Sequence, residues 1–575
     1  MADMKASLHI IAALLAATTI AVPAYADGII DNVNGITLDQ DGNIIRFTAL
    51  MVDDAGKVSQ LVTAKQKPSK RPAWRQDGGG RTMIPGLIDS DGDVIELGFR
   101  ALTLDLSRTT SLAGAKAAMA AYAAEHPNRR WILGRGWDQS GWADGAMPNA
   151  ADIDAIISDR PVWLIHADGS AGWANSAALA AAGVTAKSQI GASGRIEKIA
   201  GKPSGILAGR AMDLITEKLP APRAKDRDLA LYKGQSLLLS RGITSTTDMG
   251  TDIADWQAFR RAGDTRRLNM RIFSYADSTE TMELIAGPAP TPWLYDDRLR
   301  MGGVSIAIDG GLASRGAWLK SPYVNAPDER GFRRDSYAEL RNAMVRGSMD
   351  GFQISLRANG DAAVSEAISA VADLSETFPG DKRWRIEGAS VVDPADLPRL
   401  NQQDIAISIT APTDALTRKA ATRGLGEIRM STALAANSLL QQGALLALQA
   451  NVEAGVTPFE SMAAAITRED TDGQPFGGWR PLERLSREAA LAGFTTAPAK
   501  AAFAETKVGI LTPGQSADFV LMDTDPLLAA PSALRRAKVL ETWVAGRVVY
   551  KTTGADVNST ANANGNTDNQ PGATR

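Results

Sequence analysis

Cysteine is absent from the 575 residues of this sequence, and histidine occurs only three times. Without cysteine the protein has no disulfide, no thiol nucleophile and no cysteine-bound zinc. The three histidines are His9, His126 and His166, and His9 falls in an N-terminal segment that we expect to be removed. A hydrolase that holds its metals mainly through imidazoles needs more histidines than the two that remain.

Strong charge of either sign is also missing. The formal net charge is -3, and lysine and arginine are scattered along the chain rather than clustered. This balance gives no reason to expect binding to nucleic acid. With 44% hydrophobic and 22% charged residues, the chain has an ordinary globular composition. Its length is enough for a large core and a second structural unit.

Residues 1–26 have the pattern of a secretory signal. Lys5 gives a short charged region, Ile10–Val22 an apolar one, and Ala24-Tyr25-Ala26 a cleavage site of the small-x-small type. The apolar run is too short for a membrane span, and Pro23 ends it. We therefore expect an exported chain that starts at Asp27, periplasmic or secreted, with no membrane anchor after cleavage.

The rest of the chain alternates between two kinds of pattern. Short apolar segments separated by turn signals fill residues 28–82 and predict a small β unit. Between Ile84 and Lys507, helix-period segments such as Leu112–Glu125 alternate with short β-rich runs, which favours one (β/α)8 TIM barrel with an insertion. From residue 552 the tail lacks apolar periodicity and is predicted to be disordered.

The stretch from Met83 to Asp93 reads MIPGLIDSDGD and is the most informative one. An apolar run is followed by Asp91 and Asp93, two side chains that an extended backbone places on one face. The stretch resembles the first barrel strand of the amidohydrolase superfamily, in its amidohydrolase-3 branch, where the pattern is PG-[FL]-ID-x-HGH. A second match, GILTPGQSADFVLMD at residues 509–523, resembles the C-terminal segment of the same family.

The resemblance implies an α/β fold with two parts. One is a TIM barrel over residues 85–507, with an insertion at about residues 100–240. The other is a composite β-sandwich made from residues 27–84 and 508–551. It also implies a site at the carboxyl ends of the barrel strands, where relatives hold a divalent metal such as zinc.

Every position where the family has a metal ligand or catalytic group carries another residue here. Two ligand histidines become Asp91 and Asp93, and the bridging lysine becomes Ser305. Arginine, which is permanently cationic, replaces a third histidine. The six former metal positions are Asp91, Asp93, Ser305, Arg357, Gly388 and Gln449. Further candidates for the cleft are Trp137, Asp168, Ser170, Asp248, Asp309 and Arg315. Trp137 either lines the cleft mouth or packs within the insertion.

Charge balance suggests what replaced the metal. We hypothesise that the Arg357 guanidinium forms a fork-type pair with Asp91, Asp93 or both. Two alternatives stay open: the aspartates form a solvated loop pair, or they bind Mg²⁺ or Ca²⁺ together with Asp309 or Asp248.

The sequence thus predicts an exported amidohydrolase-like protein that has lost its catalytic metal. We expect a pseudoenzyme without a metal cofactor that binds a small organic ligand in the old cleft or a partner chain at its surface. The alternative is a divergent hydrolase of carbon–nitrogen bonds of the N-acyl amide type. A homodimer is an expectation from the family resemblance alone.

Overall fold

The computed structural model describes residues 27–139, 142, 147–167, 169, 171–190, 194–312, 315–413 and 415–552. The predicted signal segment, residues 553–575 of the tail, and the candidates Asp168 and Ser170 lie outside the described residues. The strands, in chain order, are β1 (Gly28–Leu38), β2 (Ile44–Val52), β3 (Val58–Val62), β4 (Trp74–Asp77), β5 (Thr82–Pro85), β6 (Leu87–Gly92), β7 (Leu104–Asp105), β8 (Ile132–Trp137), β9 (Val162–His166), β10 (Ala171–Ala174), β11 (Gly194–Ile199), β12 (Lys202–Gly209), β13 (Ile243–Thr251), β14 (Arg271–Ala276), β15 (Leu299–Ala307), β16 (Gln353–Ala358), β17 (Arg385–Gly388), β18 (Ala406–Thr410), β19 (Leu445–Gln449), β20 (Phe519–Met522), β21 (Val539–Val544) and β22 (Arg547–Lys551).

The helices fall mainly between the strands from β6 onward, as a βα succession requires. In chain order they are α1 (Val94–Ala101), α2 (Leu112–Glu125), α3 (Ala150–Asp154), α4 (Ser176–Ala181), α5 (Asp213–Thr216), α6 (Ala224–Ser240), α7 (Ile253–Asp264), α8 (Thr279–Ala286), α9 (Tyr337–Met349), α10 (Asp361–Ser375), α11 (Leu397–Gln402), α12 (Ala415–Met430), α13 (Ala436–Gln441), α14 (Pro458–Thr467), α15 (Arg487–Gly493), α16 (Thr496–Ala501) and α17 (Pro531–Arg535). No helix among the described residues is both long and apolar enough to cross a membrane.

Eight parallel strands form a nearly closed barrel in the order β19-β18-β17-β16-β15-β14-β13-β6. Side chains of the first strand bridge to the last one: the Ser90 hydroxyl donates to the Leu448 carbonyl at 2.9 Å, and Asp89 accepts the Ala450 N–H at 3.0 Å. The strands are largely buried, because the helices cover the outside of the barrel. The predicted fold class is confirmed.

A second sheet joins the two ends of the chain, in the order β22-β21-β20-β5-β1-β2-β3, with β4 paired to β1. Strand β5 from the N-terminal part pairs antiparallel with β20 from the C-terminal part. Its core contains Phe519, which stacks on Trp543 with ring centroids 5.0 Å apart. The two sequence ends therefore complete one another, and neither end alone contains the whole sheet.

Strands β7–β12 form a separate six-stranded sheet that is inserted between α1 and α6. Helix α2 packs on this sheet and begins after Ser111, whose side chain accepts the Gly114 N–H, as expected of an N-cap. Trp137 is fully buried in this unit, packs edge-on against Trp173, and donates to the Leu164 carbonyl at 2.9 Å. Of its two predicted locations the structure supports packing within the insertion, and its assignment to the cleft is wrong.

Candidate functional site

A cavity of about 310 Å³ opens at the carboxyl ends of the barrel strands, and we call it the mouth cavity. Strand β6 ends there, and its extended backbone turns Asp89 and Asp91 toward the opening, with Asp93 just beyond. Five of its lining residues are carboxylates and two are arginines. The charged and amide side chains of the lining are Asp89, Asp91, Asp93, Glu96, Arg100, Arg357, Gln449, Asn451 and Glu453.

Asp91 is held by two protein donors, one on each carboxylate oxygen. Arg357 Nη2 donates to Oδ1 at 3.2 Å, and Gln449 Nε2 donates to Oδ2 at 3.1 Å. Gln449 is itself fixed, because the Thr410 hydroxyl donates to its Oε1 at 2.6 Å. The expected ion pair forms with Asp91, but through one hydrogen bond of Arg357 rather than a fork.

Asp93, the other aspartate that we considered for this ion pair, caps a helix instead. Its carboxylate caps α1 by accepting the Glu96 N–H at 2.8 Å, and it is not an ion-pair partner of Arg357. Burial, together with the charges of Glu96 and Glu453, raises the pKa of Asp93 to about 6. A carboxylate at a helix N-terminus accepts a hydrogen bond from a free backbone N–H group there, and its negative charge interacts favourably with the positive end of the helix dipole.

The position of the lost histidine at Gly388 is closed by its neighbours. Gly388 has a φ of +99°, and a Cβ atom built there would lie 2.5 Å from the Asn359 side-chain oxygen. Asn359 is anchored, because its oxygen accepts the Ser390 hydroxyl at 2.9 Å and its backbone N–H donates to Asp309 at the same distance. A larger residue here would therefore have to displace the Asn359 side chain from these bonds and adopt a backbone conformation that favours glycine.

The remaining candidates do not line the mouth cavity. Ser305 lies on β15 opposite Ser355. Asp248 is buried at the end of β13, where it accepts the Val94 N–H and the Thr251 hydroxyl. Burial, and then the charge of Asp93, raises the pKa of Asp248 well above its ordinary value.

Asp309 and Arg315 organise a loop instead. Asp309 accepts backbone N–H groups of Trp318 and Gly360 as well as that of Asn359, and burial raises its pKa to about 6. Arg315 is exposed and pairs with Glu329 at 3.3 Å. Their assignment to the cleft lining is wrong, because Asp309 binds the backbone of this loop, Arg315 pairs with Glu329, and neither side chain lines the mouth cavity.

Sequence reasoning missed three carboxylates of the cavity, namely Asp89, Glu96 and Glu453. Asp89 is 3% exposed, and burial, with a smaller contribution from the charge of Asp91, raises its pKa to about 7. Glu453 pairs with Arg100 at 2.7 Å, and burial raises its pKa as well. The alternation that puts Asp91 and Asp93 on one face also includes Asp89, so a signal for it was present. The ion pair of Glu453 with Arg100 could not be predicted from the local sequence, because the two residues lie far apart in the chain.

The donor set does not fit the divalent metal of the family. A metal ligand needs a free lone pair, and here one former position is an arginine, one is a glycine, and one is an amide that donates to Asp91. Among the residues that the structure describes, no group of three or more His, Asp or Glu side chains is arranged to hold a metal ion. No chemical step can therefore be derived through such a metal.

The barrel, the sheet made from both chain ends, and the polar residues at the strand ends together define a protein with the scaffold of a metal-dependent hydrolase. The chain belongs to the amidohydrolase family: the Amidohydro_3 family model matches residues 76–550. It is 30% identical over 495 residues to Protein LONG AFTER FAR-RED 3 of Arabidopsis thaliana, covering 82% of each chain. It is 25% identical over 507 residues to the N-substituted formamide deformylase of Arthrobacter pascens, covering 83% of this chain and 90% of the relative.

Solved structures agree on the fold. An uncharacterized metal-dependent hydrolase from Pyrococcus horikoshii OT3 superimposes with a TM-score of 0.74 at 21% identity, over 88% of this chain and 99% of that one. A similar protein from Pyrococcus furiosus gives a TM-score of 0.71 at 24% identity, over 87% and 100%. At these identities the match shows the architecture alone.

Proposed function

We propose that this protein is a non-hydrolytic member of the amidohydrolase family, a pseudoenzyme that binds a small polar organic molecule in the mouth cavity. The proposal rests on the two hydrogen bonds that the Asp91 carboxylate accepts from other side chains. Both of its oxygens accept hydrogen bonds from Arg357 and Gln449, so protein groups provide the charge balance at this former metal position. Gly388 supports the same proposal, because its positive φ and the Asn359 side chain beside it both disfavour a larger residue at this position.

The charges that line the mouth cavity suggest the kind of ligand. Carboxylates outnumber arginines in the lining. Both arginines are already paired: Arg100 with Glu453, and Arg357 with Asp91. A cavity of this size with so many fixed acceptors suits a small molecule that carries an amine or several N–H groups. We infer that a neutral or cationic polar molecule is preferred over an anion.

Metal content and turnover test this proposal directly. We expect protein purified from its native compartment to contain no stoichiometric metal by elemental mass spectrometry. We also expect no hydrolysis across a panel of N-acyl amides, with or without added zinc, because no set of side chains in the described part of the chain is arranged to bind and activate the metal. Stoichiometric metal together with turnover that a chelator abolishes would contradict the proposal.

A second experiment tests whether the mouth cavity binds a small molecule. A molecule that binds the folded state raises the melting temperature in proportion to its concentration over its Kd. From a panel of small amines and amides, we expect at least one to do so in the wild type and to lose the effect in the Asp91→Asn variant. Asp228→Asn, which alters an ion pair on the surface of α6, is the matched control and should keep the effect.

A second candidate function is hydrolysis of a carbon–nitrogen bond without a metal. It is favoured by the similarity to the formamide deformylase over most of both chains. It would require an activated water, for which a carboxylate of the mouth cavity with a raised pKa, such as Asp89 with its pKa of about 7, would be the general base. Metal-independent turnover of an N-substituted formamide would establish this second candidate in place of the first.

We further propose that the protein is exported. Support comes from the charged, apolar and small-x-small segments within residues 1–26. Mass spectrometry of the protein from a periplasmic or culture-medium fraction should show an N-terminus at Asp27. An intact N-terminus at Met1 in a cytoplasmic fraction would contradict export.

A further inference from the structure

A second cavity, of about 260 Å³, lies at the opposite end of the barrel, and we call it the lower cavity. It is bordered by the beginnings of β15 and β16, the segment before β17, and the residues that follow α16. Aromatic rings form much of its wall: Phe273, Trp293, Phe352 and Phe503. Phe273 and Trp293 meet edge to face with ring centroids 5.5 Å apart, which gives this side of the cavity a defined shape.

Arg300 brings a positive charge to this aromatic cavity. Its guanidinium lies over the Trp293 ring, 5.6 Å from the centroid, and no described carboxylate forms an ion pair with it. Its Nε is buried without a hydrogen-bond partner among the described residues. Burial lowers the pKa of Arg300, although the Tyr275 phenol nearby acts against this shift. An arginine in this state has unused N–H donors, which cost free energy when they stay unpaired.

Four other polar side chains of the lower cavity already form bonds within the protein. Tyr275 donates to the Gln353 side-chain oxygen, and the amide nitrogen of Gln353 donates to two backbone carbonyls. Ser274 donates to Thr251 at 2.6 Å.

The charged side chains of the lower cavity differ in whether they are paired. Asp381 pairs with Arg383 at 2.9 Å, and Arg383 is directed toward the Phe503 ring. Arg300 therefore has donors available for a ligand, and Lys382 is a second positive charge in the lining.

Gly302 keeps part of this cavity empty. It lies on β15 and lines the cavity, and a Cβ atom built there would have no heavy atom within 4 Å. Its backbone is outside the left-handed region, so a larger residue is compatible with the strand. A strand interior normally disfavours glycine, because it has no side chain to pack. The open space beside Arg300 thus depends on this residue.

We propose that the lower cavity is a binding site for a small aromatic carboxylate. The carboxylate accepts hydrogen bonds from the Arg300 guanidinium, and the ring packs among Phe273, Phe352 and Trp293. The cavity is smaller than the roughly 300–1,000 Å³ of pockets for drug-sized ligands, which fits a molecule with one ring. This site is separate from the mouth cavity and has the opposite charge preference.

Calorimetric titration of the full-length protein with benzoate and phenylacetate tests the proposal. We expect binding of at least one of them, with no binding of acetate, which lacks the ring, or of benzamide, which lacks the charge. Arg300→Met should weaken binding by about tenfold or more, because a charge-assisted hydrogen bond contributes on the order of a tenfold change in affinity. Gly302→Val should abolish binding by filling the space while leaving Arg300 in place.

Arg357→Met is the matched control, since it removes an arginine from the mouth cavity and should leave benzoate affinity unchanged. Circular dichroism melting of each variant shows that it is folded before titration. The proposal is overturned if neither acid binds, if inorganic phosphate binds as tightly as benzoate, or if only Arg357→Met reduces binding. The last result would place the anion in the mouth cavity and would count against the ligand preference proposed for that site, so the two proposals are tested separately.

Discussion

Replacement of Asp518 by asparagine is expected to lower the free energy of unfolding by about 3–5 kcal/mol, because it leaves the buried Arg271 guanidinium without its counter-charge. Arg271 and Asp518 are each 3% exposed. They form a fork-type pair, with Nε to Oδ2 at 2.6 Å and Nη2 to Oδ1 at 3.0 Å. Arg271 begins barrel strand β14 and Asp518 precedes β20, so this pair fastens the barrel to the sheet made from both chain ends.

Urea unfolding of the wild type and the variant measures the change. Asp228→Asn is the matched control, because its pair with Arg261 is 2.7 Å long but both side chains are more than a third exposed. Exposed pairs contribute only about 0–1 kcal/mol. A loss below about 1 kcal/mol for Asp518→Asn would show that the two parts are held together by other contacts.

The same pair predicts a pH dependence. Although burial acts to raise it, the pKa of Asp518 is held below its ordinary value of 3.8 by Arg271, the Ser516 hydroxyl and the Ala545 N–H. A carboxylate with a lowered folded-state pKa stabilises the protein fully above the unfolded pKa and loses that contribution as the pH falls through the folded pKa. The difference in stability between the wild type and Asp518→Asn should therefore shrink below about pH 4.

Replacement of Arg385 by methionine is expected to cost about 3–5 kcal/mol as well, because it leaves Glu387 as an unpaired charge inside the barrel. The two side chains are 1% and 0% exposed, and Arg385 Nε donates to Glu387 Oε1 at 2.6 Å. Arg385 also donates to the Ser90 carbonyl at 2.8 Å and lies against the Tyr275 ring. The arginine thus connects three strands of the barrel interior.

Glu387 gives this prediction a distinctive pH signature. Burial raises the pKa of Glu387 above its ordinary value of 4.5, in spite of Arg385. A raised carboxyl pKa means that stability falls as the pH rises from the unfolded pKa through the folded one. Without Arg385 the pKa should rise further, so Arg385→Met should be least destabilising near pH 4 and most destabilising at neutral pH.

The double variant Arg385→Met, Glu387→Met is the control for this prediction. Replacing a buried ion pair by apolar residues of similar volume is often neutral or stabilising, whereas removing one partner is costly. We expect the double variant to recover much of the stability that Arg385→Met loses. A double variant no more stable than the single one would contradict the assignment of the cost to the uncompensated Glu387.

Much of the fold could be predicted from the sequence because its signals are local. Helix α2 begins after Ser111 and ends before Pro127, as capping and helix-breaking residues indicate. The alternation of helical and extended segments indicated the barrel, which depends on short-range periodicity repeated along the chain. Trp137 was ambiguous for the opposite reason, since an aromatic residue packs equally well in a cleft or in the core of an inserted sheet.

The candidate site was predicted only in part. The aspartates at the end of β6 and the arginine and glutamine at the ends of β16 and β19 do meet at one cavity, because parallel strands of a barrel all end on the same face. The partners within it could not be read from the sequence. Whether Arg357 would pair with Asp91 or Asp93 depends on distances of a few ångströms between strands that lie 266 residues apart in the chain.

The sequence alone determined that the chain has no cysteine and only three histidines, and it predicted that the metal ligands of the family are replaced, because residue identity at a motif position does not depend on folding. Only the tertiary structure decided how the side chains at these positions are bonded: a carboxylate is held by an arginine and an amide, and an asparagine lies beside Gly388. It also revealed a second cavity, lined by aromatic rings and by an arginine that has no ion-pair partner among the described residues. Those features arise from contacts between distant segments, which hydrophobic periodicity and local motifs do not encode.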